Sequence, residues 1–255
     1  PMTLSRAILL SGSVLIACVL LGCGSTCAEE LDPLIRAVEA DDPDAVEDAL
    51  RAGVSPTSTC TIHVTHWGEE ADVSAALLAA AQGYNEALSA MIEAGMDVNA
   101  PGDLNPLLVE AALHGNTRGV LLLLEAGADP NAVGEFGEEP ISALSATLIG
   151  PLGGREICRV ADQWEPVVMI RAVVDAGADI PSATTPREAI LWNVLVAMTK
   201  PSLPVAPGVA FDDGIEMIAI LRAAGAAIDP EHAEGMIRHR HTPEQQRALR
   251  RAFFE

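Results

Sequence analysis

The chain has 255 residues, 49% of them hydrophobic, which is enough to bury a sizeable core. Aromatics make up only 3%, so that core is expected to be built from small side chains at close helix contacts. With 36 acidic against 15 basic residues, and Lys200 the only lysine, the formal charge is −21. Such a surface disfavours nucleic acid and anionic membrane, keeps the chain soluble by self-repulsion, and favours a basic protein as partner.

Met2 is read as the true start, with Pro1 a leftover. Arg6 is followed by an apolar stretch, Ala7 to Leu21. That stretch falls short of the ~20 residues a membrane-spanning helix needs, and it suits the core of a signal peptide. It ends Leu20-Leu21-Gly22-Cys23, an apolar, a variable and a small residue before Cys. Here the sequence resembles a bacterial lipoprotein. The resemblance implies a signal peptide over 1–22, cleavage before Cys23, acylation of Cys23 and a lipidated tether over 23–30. Position 24 is Gly rather than Asp, which points to the outer membrane facing the periplasm, or to the cell surface in a Gram-positive host. The lipid anchor would then be the only contact with membrane.

From residue 31 the pattern is helical pairs. Asp32-Pro33 opens a helix to about Ala40, since Asp caps well and Pro suits the first helical position. Asp41-Asp42-Pro43-Asp44 turns into a second helix that runs to Ala52 and stops at Gly53. Residues 54–72 form a longer connection, whose alternating Cys60 to His66 reads as an extended hairpin arm. A second pair covers Ser74–Gln82 and Asn85–Ala94, split at Gly83. A third starts near Pro106, is split at Gly115 and stops at Gly127. A fourth is expected to start at Glu139-Pro140, reach about Ile149, break over 150–163 and resume from Pro166 to Ala176. The fifth opens at the capping box Thr185-Pro186-Arg187-Glu188, is interrupted over 199–211, and resumes from Asp213 to Ala224. Asp229-Pro230 and the capping box Thr242-Pro243-Glu244-Gln245 open a last pair, which suits a terminal cap.

One ending recurs: an apolar helical run, then Gly53, Gly95, Gly127, Gly177 or Gly225. Glycine there closes a helix in the left-handed region at little steric cost. Twelve positions before each stop lie Asp41, Gly83, Gly115, Glu165 and Asp213, each expected to begin a second helix. A single pair cannot cover its own apolar face, so such pairs must stack.

Asp32-Pro33-Leu34-Ile35-Arg36-Ala37, Ala111-Ala112-Leu113-His114-Gly115 and Leu123-Leu124-Glu125-Ala126-Gly127-Ala128-Asp129-Pro130-Asn131-Ala132 resemble the opening, middle and ending of the ankyrin repeat. The resemblance implies an all-α ankyrin-repeat solenoid over 31–255, of about five helix-turn-helix units plus a C-terminal capping helix pair. The stop-to-stop spacings are 42, 32, 50 and 48, against about 33 for the family. It implies a protein-binding module that contacts another protein through its concave face and arm tips. The exposed positions there would include Arg36, Glu39, Gln82, Glu110 and His114. Trp67 and Phe136 lie in arms, where they either anchor an interface or pack beneath the arm. A more specific form of the same function is an envelope inhibitor or immunity protein against a toxin or hydrolase.

The chain shows no catalytic triad order, nucleophile elbow, phosphate loop or dinucleotide fingerprint. No catalytic residue and no cofactor is therefore expected. The rival reading is a metal-binding protein or enzyme centred on Cys60, His63 and His66, which have ligand types and spacing. Strand alternation would put His63 on the face opposite Cys60 and His66, and no fourth ligand is near, so no metal is expected. In an oxidising compartment Cys27, before the first helix, and Cys60, after the second, would lie on one side of an antiparallel pair. They are paired here as a disulfide, leaving Cys158 over. Arg238, His239, Arg240 and His241 read as a solvated face of the cap.

Overall fold

Alanine-rich helices with glycine stops can approach one another closely, and the computed structural model shows them doing so. It describes residues 32–57, 59–64, 69–100, 105–136, 139–152, 164–180, 190–199, 209–227, 229–240 and 242–254. In chain order the first pair is α1 (Asp32–Glu39) and α2 (Pro43–Arg51), followed by the hairpin β1 (Thr59–Val64) and β2 (Glu69–Ser74). The second pair is α3 (Ala75–Gln82) and α4 (Asn85–Glu93); the third is α5 (Leu107–Leu113) and α6 (Thr117–Glu125). A second hairpin, β3 (Val133–Phe136) and β4 (Glu139–Ser142), leads to α7 (Ala143–Leu152) and α8 (Pro166–Asp175). Then come α9 (Ile190–Thr199) with α10 (Phe211–Ala223), and α11 (Pro230–Arg240) with α12 (Pro243–Phe254).

The odd-numbered helices form one layer, each packed on the next, and the even-numbered helices form another. The members of each pair also pack on each other. This is the expected all-α repeat solenoid of five units and a cap. One continuous core runs through it from Leu34 to Phe253. Helix α3, Ala-Ala-Leu-Leu-Ala-Ala-Ala-Gln, is buried at every position, because it is packed by α1, α4 and α5. Small side chains let three neighbours approach a single helix.

The five stops share one geometry. Gly53, Gly95, Gly127, Gly177 and Gly225 have φ of 97°, 89°, 87°, 95° and 100°. In each unit the glycine amide donates to the carbonyl three residues back at 2.9–3.0 Å. The next amide donates to the carbonyl five back at 2.9–3.3 Å. These paired bonds satisfy carbonyls that a helix end otherwise leaves open. Asp41, Gly83 and Gly115 hold the left-handed turn inside their pairs, with φ of 50°, 76° and 72°.

Several boundaries depart from expectation. Glu139-Pro140 lies in β4 rather than opening a helix, and the Ser142 hydroxyl accepts from the Ser145 amide to cap α7 instead. Helix α7 continues past Ile149 through Gly150 and Pro151. Pro151 has no amide to give Thr147 O, four residues back, and the Trp164 indole Nε1 donates to that carbonyl at 3.2 Å. The twelve-residue offset marks the turn only in the first three units. Glu165 lies at the cap of α8, and Asp213 is the third residue of α10. The expected capping box at 185–188 lies outside the described residues, as do the domain assignments before residue 32.

The terminal capping box is present: Thr242 N donates to Gln245 Oε1 at 3.0 Å and Gln245 N to Thr242 Oγ1 at 3.3 Å. Across the cap, Arg250 Nε donates to both Glu234 oxygens at 2.8 and 3.1 Å. That hydrogen bond holds the Glu234 carboxyl below the usual glutamate range. A carboxyl lowered in the folded state contributes above its ordinary range and loses that contribution as pH falls toward its folded value.

Two predictions check this frame. Gly127→Ala places a Cβ in a left-handed backbone with open space around it, so strain alone acts. It should cost about 1 kcal/mol and lower Tm by about 2–4 °C in calorimetry. An NMR titration should find that Arg250→Ala returns Glu234 toward the ordinary glutamate range.

Candidate functional site

Asn105 precedes α5 and is buried. Its Oδ1 accepts from Glu135 N at 2.7 Å, and its Nδ2 donates to Glu135 O at 3.3 Å and to Glu110 Oε2 at 2.9 Å. One amide thus ties β3 of the second arm to the first helix of the third unit. Glu110 Oε1 lies 3.0 Å from His114 Nε2, one helical turn along α5. Above them Gly134 lies so close that a Cβ there would meet Asn105 Oδ1, and Val109 Cγ1 at 2.9 Å. The glycine is a packing requirement of this contact.

The backbone of the second arm is therefore fixed at Glu135, while side chains on both of its strands stay open. Val133 is 60% exposed, and Glu135, Glu139 and Pro140 are exposed. Phe136 is half-buried against the core, so it packs beneath the arm.

The expectation that Gln82, Glu110 and His114 are exposed is corrected: only 8%, 9% and 6% of each is accessible. In the second unit Val73, Leu78 and Gln82 fill the places that Asn105, Glu110 and His114 fill in the third. Glu110 bridges Asn105 and His114 inside the solenoid, one carboxylate oxygen to each, which lowers the cost of burying such groups. Arg36 is exposed on α1, and Glu39 is half-buried at its end. Trp67 and His66 lie outside the described residues, as do Cys23, Cys27 and Cys158. Cys60 and His63 are in β1, at register positions opposite Val73 and Glu70. Among the described residues no group of three His, Cys, Asp or Glu side chains is placed to hold a metal ion. No described helix is long and apolar enough to cross a membrane.

Two side-chain ladders escaped the sequence reading. Asn99 Oδ1 accepts from Asp129 N, and its Nδ2 donates to Gly127 O, both at 2.9 Å. Asn131 repeats this one unit on, with Asp179 N at 2.6 Å and Gly177 O at 3.4 Å. The signal was visible as Asn in the repeat ending, but its partners lie in the next unit. Asn116 likewise caps Gly119 N at 2.9 Å and donates back to Ala80 O of the preceding unit at 3.0 Å.

The stacked pairs, glycine stops and inter-unit asparagines define an all-α repeat solenoid. A family model of ankyrin repeats, in three copies, matches residues 34–133, which covers the first three units. Ankyrin repeats are generally protein–protein interaction modules, and typically not enzymes. A comparison with curated proteins finds no match.

Glu110→Ala should test the buried cluster. It leaves Nδ2 of Asn105 and Nε2 of His114 without their carboxylate, and denaturant unfolding should show a loss of about 3 kcal/mol. Glu110→Gln keeps the shape and one acceptor, so its loss should be about half as large. Equal losses for the two variants would show that the carboxylate pairing is immaterial.

Proposed function

We propose that the chain is a protein-binding module of a bacterial cell envelope, held at the membrane by a lipid on Cys23. It engages a partner through its arms. The observation that supports this reading most directly is the second arm, whose side chains are exposed while Asn105 fixes its backbone at Glu135. A protrusion already held in one pose loses little freedom on binding, so more of its contact energy appears as affinity. The burial of Gln82, Glu110 and His114 moves the contact surface away from the inner helices and leaves Arg36 as their exposed member. The carboxylates Glu135 and Glu139 on the arm, within a chain of net charge −21, favour a basic partner surface.

A photo-crosslinker at Glu139 of the envelope-localised chain should capture one protein reproducibly. Glu135→Lys with Glu139→Lys should weaken that protein's binding by about tenfold, more at low salt. Unchanged affinity in the doubly reversed chain would remove the arm from the interface. For the anchor, Cys23→Ser should abolish incorporation of a palmitate analogue and release the chain from the membrane fraction. Retention of both would overturn the lipid reading.

A further inference from the structure

The two arms differ in what they do with their edges. In the second arm the register is Val133↔Ser142, Gly134↔Ile141, Glu135↔Pro140 and Phe136↔Glu139. Alternate pairs in an antiparallel ladder turn their N–H and C=O toward the partner strand or away from it. Glu135 gives both groups to the Asn105 side chain, so position 135 faces outward and the amide satisfies it as a neighbouring strand would. Pro140, directly opposite, has no N–H to offer on the other edge. Both edges of this arm are blunted at mid-strand.

The first arm is longer and its strands carry no such proline. Its six pairs run from Thr59↔Ser74 to Val64↔Glu69. Strand β2 leads into α3 and packs on it, whereas among the described elements β1 packs closely only against β2. The outer edge of β1 is Thr59-Cys60-Thr61-Ile62-His63-Val64, rich in β-branched residues and free of carboxylates. Strand β2 carries Glu69, Glu70 and Asp72. A two-stranded ribbon alone is marginal in water, and an unpaired edge is a template for another strand.

We infer that the β1 edge is a self-association site, on which β1 of a second copy adds antiparallel across a two-fold axis. The product is a four-stranded ribbon in the order β2, β1, β1, β2. Charge selects this occupant. A basic segment would be drawn to the carboxylates of β2, not to the uncharged β1. Two copies with net charge −21 each can meet with least repulsion where six successive residues lack a carboxylate. The ribbon then holds the two acidic β2 strands three strand spacings apart, about 14 Å, beyond the Debye length of ~8 Å at physiological salt. The interface is isologous, so it closes at two chains and does not propagate. It is independent of the partner bound by the second arm.

Sedimentation of the full chain over a concentration series should show the mass rise from one chain to two, more readily as salt is added. Only every second residue of β1 turns its N–H and C=O to the outer edge, so two-fold-related strands pair about a residue, and the longest overlaps centre on position 61 or position 62. Thr61→Lys with Ile62→Lys sets like charges face to face on the axis in either register. It should weaken self-association by about tenfold, although it lowers the net charge of each copy. Hydrogen exchange on the unaltered chain gives a readout that needs no variant. The β1 amides should gain protection as concentration rises, while those of α5 stay constant. A chain that remains single at high salt, a dimer untouched by the double lysine variant, or β1 protection independent of concentration would each overturn the inference.

Discussion

Everything in this molecule depends on how the second helix of each pair is stopped. Five glycines with φ between 87° and 100° end five helices with the same two hydrogen bonds. The residue five back, whose carbonyl closes the motif, is Ala49, Met91, Leu123, Val173 or Leu221, and each is buried. Helix termination and core packing are therefore one event. The chain leaves each helix in a fixed direction, and the next unit begins from a fixed place. A residue with a Cβ at the stop would strain the turn and displace the start of the following unit.

The stops order the backbone within a unit, and asparagine couples one unit to the next. Asn99 and Asn131 each bridge the following stop, reading one carbonyl and one amide. Such bonds are worth about 1 kcal/mol each, but they fix register more than they add stability. The corresponding residue is Thr57 after the first stop and Pro181 after the fourth, and neither carries a side-chain amide. Outside the asparagine ladder the even-numbered layer is joined by exposed ion pairs, such as Arg171 with Glu216 at 2.5 Å and Arg118 with Glu86 at 2.7 Å. Pairs exposed to that degree contribute little. The apolar core that continues through both layers supplies the cohesion.

The repeat was legible because glycine and proline act locally. The stops, the capping box at Thr242 and an extended arm at Cys60 to His66 follow from residue types within a few positions of each other. What failed was whatever depended on a choice between two local patterns or on a distant partner. Glu139-Pro140 read as a helix start because Pro suits that place, yet Glu139 pairs with Phe136 in a hairpin and Ser142 takes over the cap. Gln82, Glu110 and His114 read as exposed because the resemblance places them on the concave face, and nothing local reveals that Asn105 and the second arm close over the third unit. Glu110 is acceptable inside only because Asn105 Nδ2 and His114 Nε2 reach its two oxygens. A single sequence does not display that convergence.

The charge distribution follows a similar division between local and collective demands. Helices α4, α6 and α8 end in Glu93, Glu125 and Asp175, where the helix dipole favours a cation by about 0.3–1 kcal/mol. The stops of these helices are followed by Asp97, Asp129 and Asp179. In the last two the amide is the one held by the preceding asparagine. Local stability thus favours the opposite charge along this row, and the row stays acidic in three successive units. Arg51 and Arg222, near the ends of α2 and α10, obey the dipole. The middle units therefore sustain a negative field at some expense in helix stability. That field opposes contact between copies over most of the surface and leaves the carboxylate-free strand β1 as the place where close approach is least opposed.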